Sequence, residues 1–188
     1  MNTNTKLNYL LLVQLLAFGG CAGPAKPGTA QVTTETKVSA KGILLEANER
    51  LSTPQSFKPP VEITIVAKTD STNLRIGYTA DQVIFNWERD LTQLRINGGP
   101  ADQLHKPGAG SVPRRRFVTI RWVVTPEHEA IYVDGELRFE HSGDYSEIEK
   151  PVSVFAALGS RVTVKSIRVK QFTTAGRRRG GPTNGLSR

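Results

Sequence analysis

Apolar side chains recur at every second position along most of this chain. Val61-Glu62-Ile63-Thr64-Ile65 alternates cleanly, and Leu74, Ile76 and Tyr78 alternate with Arg75 and Gly77. After a turn at Thr79-Ala80-Asp81, Val83, Phe85 and Trp87 alternate with Gln82, Ile84 and Asn86. Leu94 and Ile96 follow, closed by Asn97-Gly98-Gly99-Pro100, and Val118, Ile120, Trp122 and Val124 alternate with Thr119 and Arg121. A period of two, rich in β-branched and aromatic residues and bounded by turn formers, predicts half-buried strands. Residues 44–51 are the one candidate for a helix between Gly42 and Phe172, and they read as a short helix or a loop.

Asp134-Gly135, flanked by two alternating runs, predicts a two-residue type I′ hairpin, because both central residues must take positive φ. That register sets Tyr132 opposite Leu137 and Ala130 opposite Phe139. In Val162-Thr163-Val164-Lys165-Ser166-Ile167-Arg168-Val169 the apolar parity switches between Val164 and Ile167. One extra residue near Lys165-Ser166, a β-bulge, explains the switch. Many short strands joined by hairpins without intervening helices predict an all-β antiparallel sandwich or barrel.

The N-terminus breaks this pattern. Lys6 precedes a mostly apolar run from Leu7 to Phe18, broken only by Asn8 and Gln14, then Gly19-Gly20-Cys21. The run is too short to span a bilayer as a helix and reads as the hydrophobic region of a signal peptide. Small residues before a cysteine resemble the bacterial lipobox, although Phe18 stands where Leu is usual. The resemblance implies a signal peptide over 1–20 and a lipidated Cys21. It also implies a protein anchored outside the cytoplasmic membrane, with Ala22 resembling the class sorted to the outer membrane where two membranes exist. Cys21 is the single cysteine, so no intramolecular disulfide can form. Residues 21–37, rich in Pro, Gly and Thr, read as a flexible tether, residues 38–172 as the sandwich, and 173–188 as a disordered basic tail. The net charge of +8 is largely peripheral: Lys6, Arg177, Arg178, Arg179 and Arg188 leave about +3 for the body. Basic runs such as Arg114-Arg115-Arg116 and the tail fit attraction to anionic envelope polymers or lipid, and no nucleic-acid partner is expected of an exported chain.

Three segments carry a resemblance to known families: Arg116 to Trp122, the Tyr132-Val133-Asp134-Gly135-Glu136-Leu137 hairpin, and Val164-Lys165-Ser166-Ile167-Arg168-Val169-Lys170. Together they resemble the C-terminal half of concanavalin A-like jelly rolls. The hairpin is similar to that of laminin G-like modules, and the closing strand to that of 3-keto-disaccharide hydrolase-like domains. The likeness spans roughly residues 60–172. It implies a jelly-roll sandwich associated with carbohydrate, and leaves activity open because one fold hosts many functions.

Catalytic patterns are sparse. Glu147-Ile148-Glu149 is the nearest approach to the strand-borne carboxylates of retaining glycosidases on such folds, and Lys150-Pro151 interrupts it. His105, His128 and His141 have no metal-ligand spacing, so no metal site is expected beyond a structural Ca2+ at loop aspartates Asp70 or Asp81. Sugar recognition requires an aromatic face and planar polar groups, which Trp87, Asn86, Arg75 and Arg121 provide. Arg75, Asn86 and Arg121 are expected on one non-core face, and His105 lies in the long connection from Gly98 to Arg114. The expected function is a non-catalytic, carbohydrate-binding or interaction module of the cell envelope. Its alternatives are a hydrolase or lyase of the 3-keto-disaccharide type and a structural envelope protein without a small ligand.

Overall fold

The structure, a computed structural model, describes residues 30–37, 41–46 and 48–173. The expected signal peptide, Cys21 and the residues beyond Thr173, expected as a basic tail, lie outside the described residues. Within them, twelve strands form two antiparallel sheets, and no helix occurs. The strands are β1 (Ala30–Lys37), β2 (Ile43–Leu45), β3 (Arg50–Ser52), β4 (Val61–Thr69), β5 (Leu74–Gly77) and β6 (Gln82–Phe85). They continue as β7 (Arg95–Asn97), β8 (Val118–Val124), β9 (His128–Val133), β10 (Glu136–Ser142), β11 (Ser153–Phe155) and β12 (Val162–Thr173). One sheet has seven strands in the order β1-β12-β4-β8-β9-β10, with β2 also paired to β12; the other has five in the order β3-β11-β5-β6-β7.

The alternation predicts the core well. In β4, Val61, Ile63, Ile65 and Ala67 are buried while Glu62, Thr64, Val66 and Lys68 are partly exposed. In β8, Val118, Ile120, Trp122 and Val124 point inward. From the facing sheet, Leu74, Ile76, Val83, Phe85, Ile96 and Val154 complete one continuous apolar layer. The helix-or-loop interval 44–51 divides between the ends of two short strands and the turn joining them.

The longest strand, β12, carries the predicted bulge: its register against β4 shifts between Val164 and Ser166, so Val162, Val164, Ile167 and Val169 all reach the core. The Asp134-Gly135 turn has the required positive φ at both residues, 50° and 89°. Its strands differ from expectation. Tyr132 does pair with Leu137, but a shift between Leu137 and Phe139 sets Phe139 opposite Ile131 and Glu140 opposite Ala130. The extra residue, Arg138, brings Phe139 into the core beside Ile131 and leaves Leu137 41% exposed.

Ala30–Lys37 also departs from the expected tether, because it forms edge strand β1 against β12. Its β-branched Val32, Thr33 and Thr34 suit a strand, but Val32 and Thr33 are exposed, so no apolar alternation announces it. At the opposite rim of the molecule, edge strand β7 is covered by the chain that follows it. Leu94 and Lys106 exchange two backbone hydrogen bonds, Gln103 N–H donates to the Ile96 carbonyl, and Ile96 N–H donates to His105 Nδ1 at 3.1 Å. This occupies edge groups that would otherwise template pairing with another chain.

Among the described residues one carboxylic side chain enters the core. Glu129 of β9 faces inward and is 1% exposed. Its Oε2 accepts from Thr79 Oγ1 at 2.6 Å and from Trp122 Nε1 at 2.9 Å. Tyr145 is buried beside it, its hydroxyl 2.7 Å from His141 Nδ1, and burial, then the Glu129 carboxyl, pushes the Tyr145 phenol well above its usual range. Glu129→Ala would leave the indole N–H and the Thr79 hydroxyl buried without an acceptor. We expect a loss of about 3 kcal/mol in unfolding free energy by chemical denaturation, with Glu129→Gln losing distinctly less because an acceptor remains.

His105 yields a pH prediction. Desolvation first, then the nearby Arg95 charge, lowers its pKa below the ordinary 6.5, with Asp102 opposing. The imidazole must be neutral at Nδ1 to accept from Ile96, so protonation opposes the fold. Between the lowered folded pKa and the unfolded value the unfolded chain binds more protons, so stability falls as pH drops through that window. His105→Asn should flatten this part of the melting-midpoint profile, and an unchanged acid slope would contradict the assignment.

Candidate functional site

The outward face of the five-stranded sheet holds the densest set of recognition side chains. Phe155 pairs with Arg50 on one side and Arg75 on the other, Arg75 pairs with Ile84, and Ile84 with Arg95. Directly opposed residues of antiparallel strands share a face. Their neighbours Leu51, Val154, Ile76, Val83 and Ile96 point into the core, so the row Arg50–Phe155–Arg75–Ile84–Arg95 crosses the whole sheet on its outer side. The adjacent row holds Ser52, Ser153, Gly77, Gln82 and Asn97, small or amide-bearing residues.

The arginines are held in place. Arg75 is 13% exposed; its Nε and Nη2 donate to Asn73 Oδ1 at 3.3 and 2.9 Å, and its Nη1 donates to Gln82 Oε1 at 2.6 Å. The Glu88 carboxylate stands 3.9 Å away. Burial lowers the Arg75 pKa and Glu88 partly opposes it. Arg50 donates to Ser153 Oγ at 3.1 Å and lies 3.9 Å over the Phe155 ring. Arg95 lies 4.1 Å over the Trp87 ring, with Arg89 at 6.0 Å. Guanidinium groups over aromatic faces are cation–π contacts.

Trp87 reaches this face because of its neighbour. Strict alternation from Val83 and Phe85 would carry Trp87 into the core, but Asn86 adopts a left-handed φ of 48° and re-aims the chain. Asn86 itself is 3% exposed and fully engaged: its amide donates to the Val112 carbonyl and accepts from Val112 N–H, each at 2.9 Å. It clamps the β7–β8 connection to the end of β6 and offers nothing to solvent.

The expected grouping of Arg75, Asn86 and Arg121 does not form. Arg121 of β8 lies on the outer face of the other sheet, bonded to Glu62 at 3.0 Å and stacked 5.0 Å from the Tyr132 ring. Glu62 also meets Lys170 at 3.4 Å, and Arg168 meets Glu35 at 2.9 Å, so these three cations share two carboxylates. Lys68 and Lys165 of the same sheet lie over the Phe117 ring. His105 is half-buried at the β7 edge, its Nδ1 occupied by Ile96. Arg50, Arg95 and Phe155 were missed by sequence reasoning, and only their registered pairing reveals them.

The carboxylates are dispersed. Glu147 and Glu149 sit in the connection between β10 and β11, not on a strand, and Glu149 pairs with Lys58 at 3.1 Å. Asp70 bonds Arg161 at 2.8 Å, and Asp81 faces Lys150 at 3.3 Å. Among the described residues no three His, Cys, Asp or Glu side chains converge as a metal site.

No protein-family profile and no curated protein matches the chain. Solved structures do. The exoplasmic/lumenal domain of VIP36 in its Ca2+/Man3GlcNAc-bound form aligns over 79% of this chain and 86% of its own, at TM-score 0.52 and 10% identity. A glycosidic hydrolase aligns over 81% of this chain and 99% of its own, at 0.52 and 10%. The Crh5 transglycosylase aligns over 82% and 90%, at 0.52 and 12%. At such identities the likeness is one of fold, and it agrees with the strand order: the chain is an antiparallel jelly-roll sandwich of the concanavalin A-like kind.

Proposed function

We propose that this is an exported protein, lipid-anchored to the cell envelope through Cys21, whose sandwich binds glycan without catalysis on the outer face of the five-stranded sheet. The registered row Arg50–Phe155–Arg75–Ile84–Arg95, with Trp87 at its end, is the observation that carries the reading. Half-buried Trp87 offers an aromatic ring for sugar C–H groups, and the arginines, over buried Phe155 and Ile84, offer fixed N–H donors for their oxygens. Structures of similar fold include one bound to Man3GlcNAc.

The arrangement of acids supports a binding role. No outward-facing position of β3, β11, β5, β6 or β7 is an acid, and Glu88 is already near Arg75. A retaining glycosidase needs two carboxyls about 5–5.5 Å apart on either side of the scissile bond. Glu129 is sealed in the core by Trp122 and Thr79 and cannot reach a surface ligand.

On a glycan array, Trp87→Ala should weaken binding by about tenfold or more while leaving the melting midpoint unchanged. Arg121→Ala, on the opposite sheet, should leave binding intact. Retained binding in a folded Trp87→Ala protein, or its loss in Arg121→Ala, would move the site off this face. For the anchor, Cys21→Ser should abolish incorporation of labelled palmitate and release the protein from the membrane fraction.

A further inference from the structure

We infer that the five-stranded face selects an acidic glycan: a linear polysaccharide lying across the strands, with anionic groups recurring on alternate sugars. This rests on the reading of that face as a glycan site and names its substrate class.

The first ground is charge compensation. On the seven-stranded sheet the outward cations Arg121, Lys170 and Arg168 each have a carboxylate within 3.4 Å, while Lys68 and Lys165 lie over the Phe117 ring. On the five-stranded sheet Arg50, Arg75 and Arg95 share one row, and among the described residues the nearest carboxylate is Glu88, 3.9 Å from Arg75. Arg89 adds a fourth cation beside Trp87. A neutral sugar leaves this charge as it finds it, whereas an anionic one neutralises it where solvent is already partly excluded.

The second ground is preorganisation. Three of the five N–H bonds of Arg75 are occupied by Asn73 and Gln82, which fixes the plane of the guanidinium and leaves the others for a ligand. Arg50 is pinned by Ser153 and Phe155, and Arg95 rests on Trp87. Ordering a long cationic side chain before binding removes much of the entropy cost of using it. A planar fork of donors suits the two oxygens of a carboxylate or sulfate.

The third ground is spacing. Arg50, Arg75 and Arg95 stand on alternate strands, so they recur roughly every 9.5 Å across the sheet. That advance is comparable to two pyranose units of an extended chain. Between them lie Phe155 and Ile84, both buried, with Arg50 over the Phe155 ring, so the guanidinium groups form the outermost layer of the row.

The test uses detergent-solubilised full-length protein and calorimetry with three probes: a polymer alternating uronate with neutral sugar, the same polymer methyl-esterified, and inorganic polyphosphate. The uronate polymer should bind about tenfold or more tighter than the ester, and its affinity should fall with added salt. Arg50→Gln and Arg95→Gln, both on the outer side of the sheet, should each weaken the acidic polymer by about fivefold or more and the ester by distinctly less, so that the acid-to-ester affinity ratio falls. Triple substitution of Arg114, Arg115 and Arg116 by Gln should have no effect. Equal affinity for acid and ester would overturn the selectivity and leave the glycan site standing. Binding of neither polymer by folded protein would overturn both. Polyphosphate binding as tightly as uronate, or loss of binding only in the Arg114–Arg116 variant, would reduce the effect to diffuse polyanion attraction and overturn the inference.

Discussion

The burial of one apolar layer between two sheets is the constraint on which the rest of the structure depends. Each strand contributes alternate side chains to that layer, so the same arithmetic that fills the core also decides what faces water. Ile63, Ile65, Ile120 and Trp122 meet Leu74, Ile76, Phe85 and Ile96 with essentially no exposure. Once these positions are fixed, Arg50, Phe155, Arg75, Ile84 and Arg95 have only one side left to occupy. The arginine row is therefore a by-product of core parity, made on regular strands and sharing the rigidity of the sheet beneath it, while Trp87 joins it from the turn after β6.

Where the parity is broken, the break has a local cause and a local use. The bulge beside Lys165 lets β12 serve the core along its whole length, first beside β2 and then beside β1. The bulge at Arg138 trades an exposed Leu137 for a buried Phe139. At Asn86 a left-handed residue ends the alternation of β6, and its side-chain amide then pairs with Val112 as a strand would. Trp87 is delivered to the outer face by that single backbone change.

These breaks also mark where the sequence ceased to be legible. Sheet class, most strands, the Asp134-Gly135 turn and the β12 bulge are visible because each leaves an alternation or a turn signature. Strand β1 is not, since an edge strand that buries little needs no apolar stripe. The pairing of Ala130 with Phe139 was misjudged because a bulge inside a hairpin is invisible until Arg138 is seen to be displaced. Arg75 and Arg121 look equivalent in the sequence, as polar positions between apolar ones. Periodicity assigns a residue to the inner or outer side, however, and says nothing of which sheet carries it. That is why the expected cluster of Arg75, Asn86 and Arg121 dispersed, while Arg50 and Arg95, unremarked in the sequence, joined Arg75.

The two outer faces show what the distinction means physically. Both are lined with long cationic side chains, and both use aromatic rings under guanidinium groups, Tyr132 beneath Arg121 and Phe155 beneath Arg50. On the seven-stranded side Glu62 and Glu35 neutralise their neighbours, giving a solvated surface of exposed ion pairs whose individual contributions are small. On the five-stranded side the partners of Arg75 and Arg50 are amide and hydroxyl oxygens, which orient a guanidinium without cancelling its charge. Stability alone gives no reason to hold Arg75 largely out of water and leave it short of a counter-ion, since burial of a charge without full compensation is unfavourable. The seven-stranded side also holds cations without a carboxylate, Lys68 and Lys165 over Phe117, but only the five-stranded side aligns three arginines in one registered row with a partly buried guanidinium at its centre.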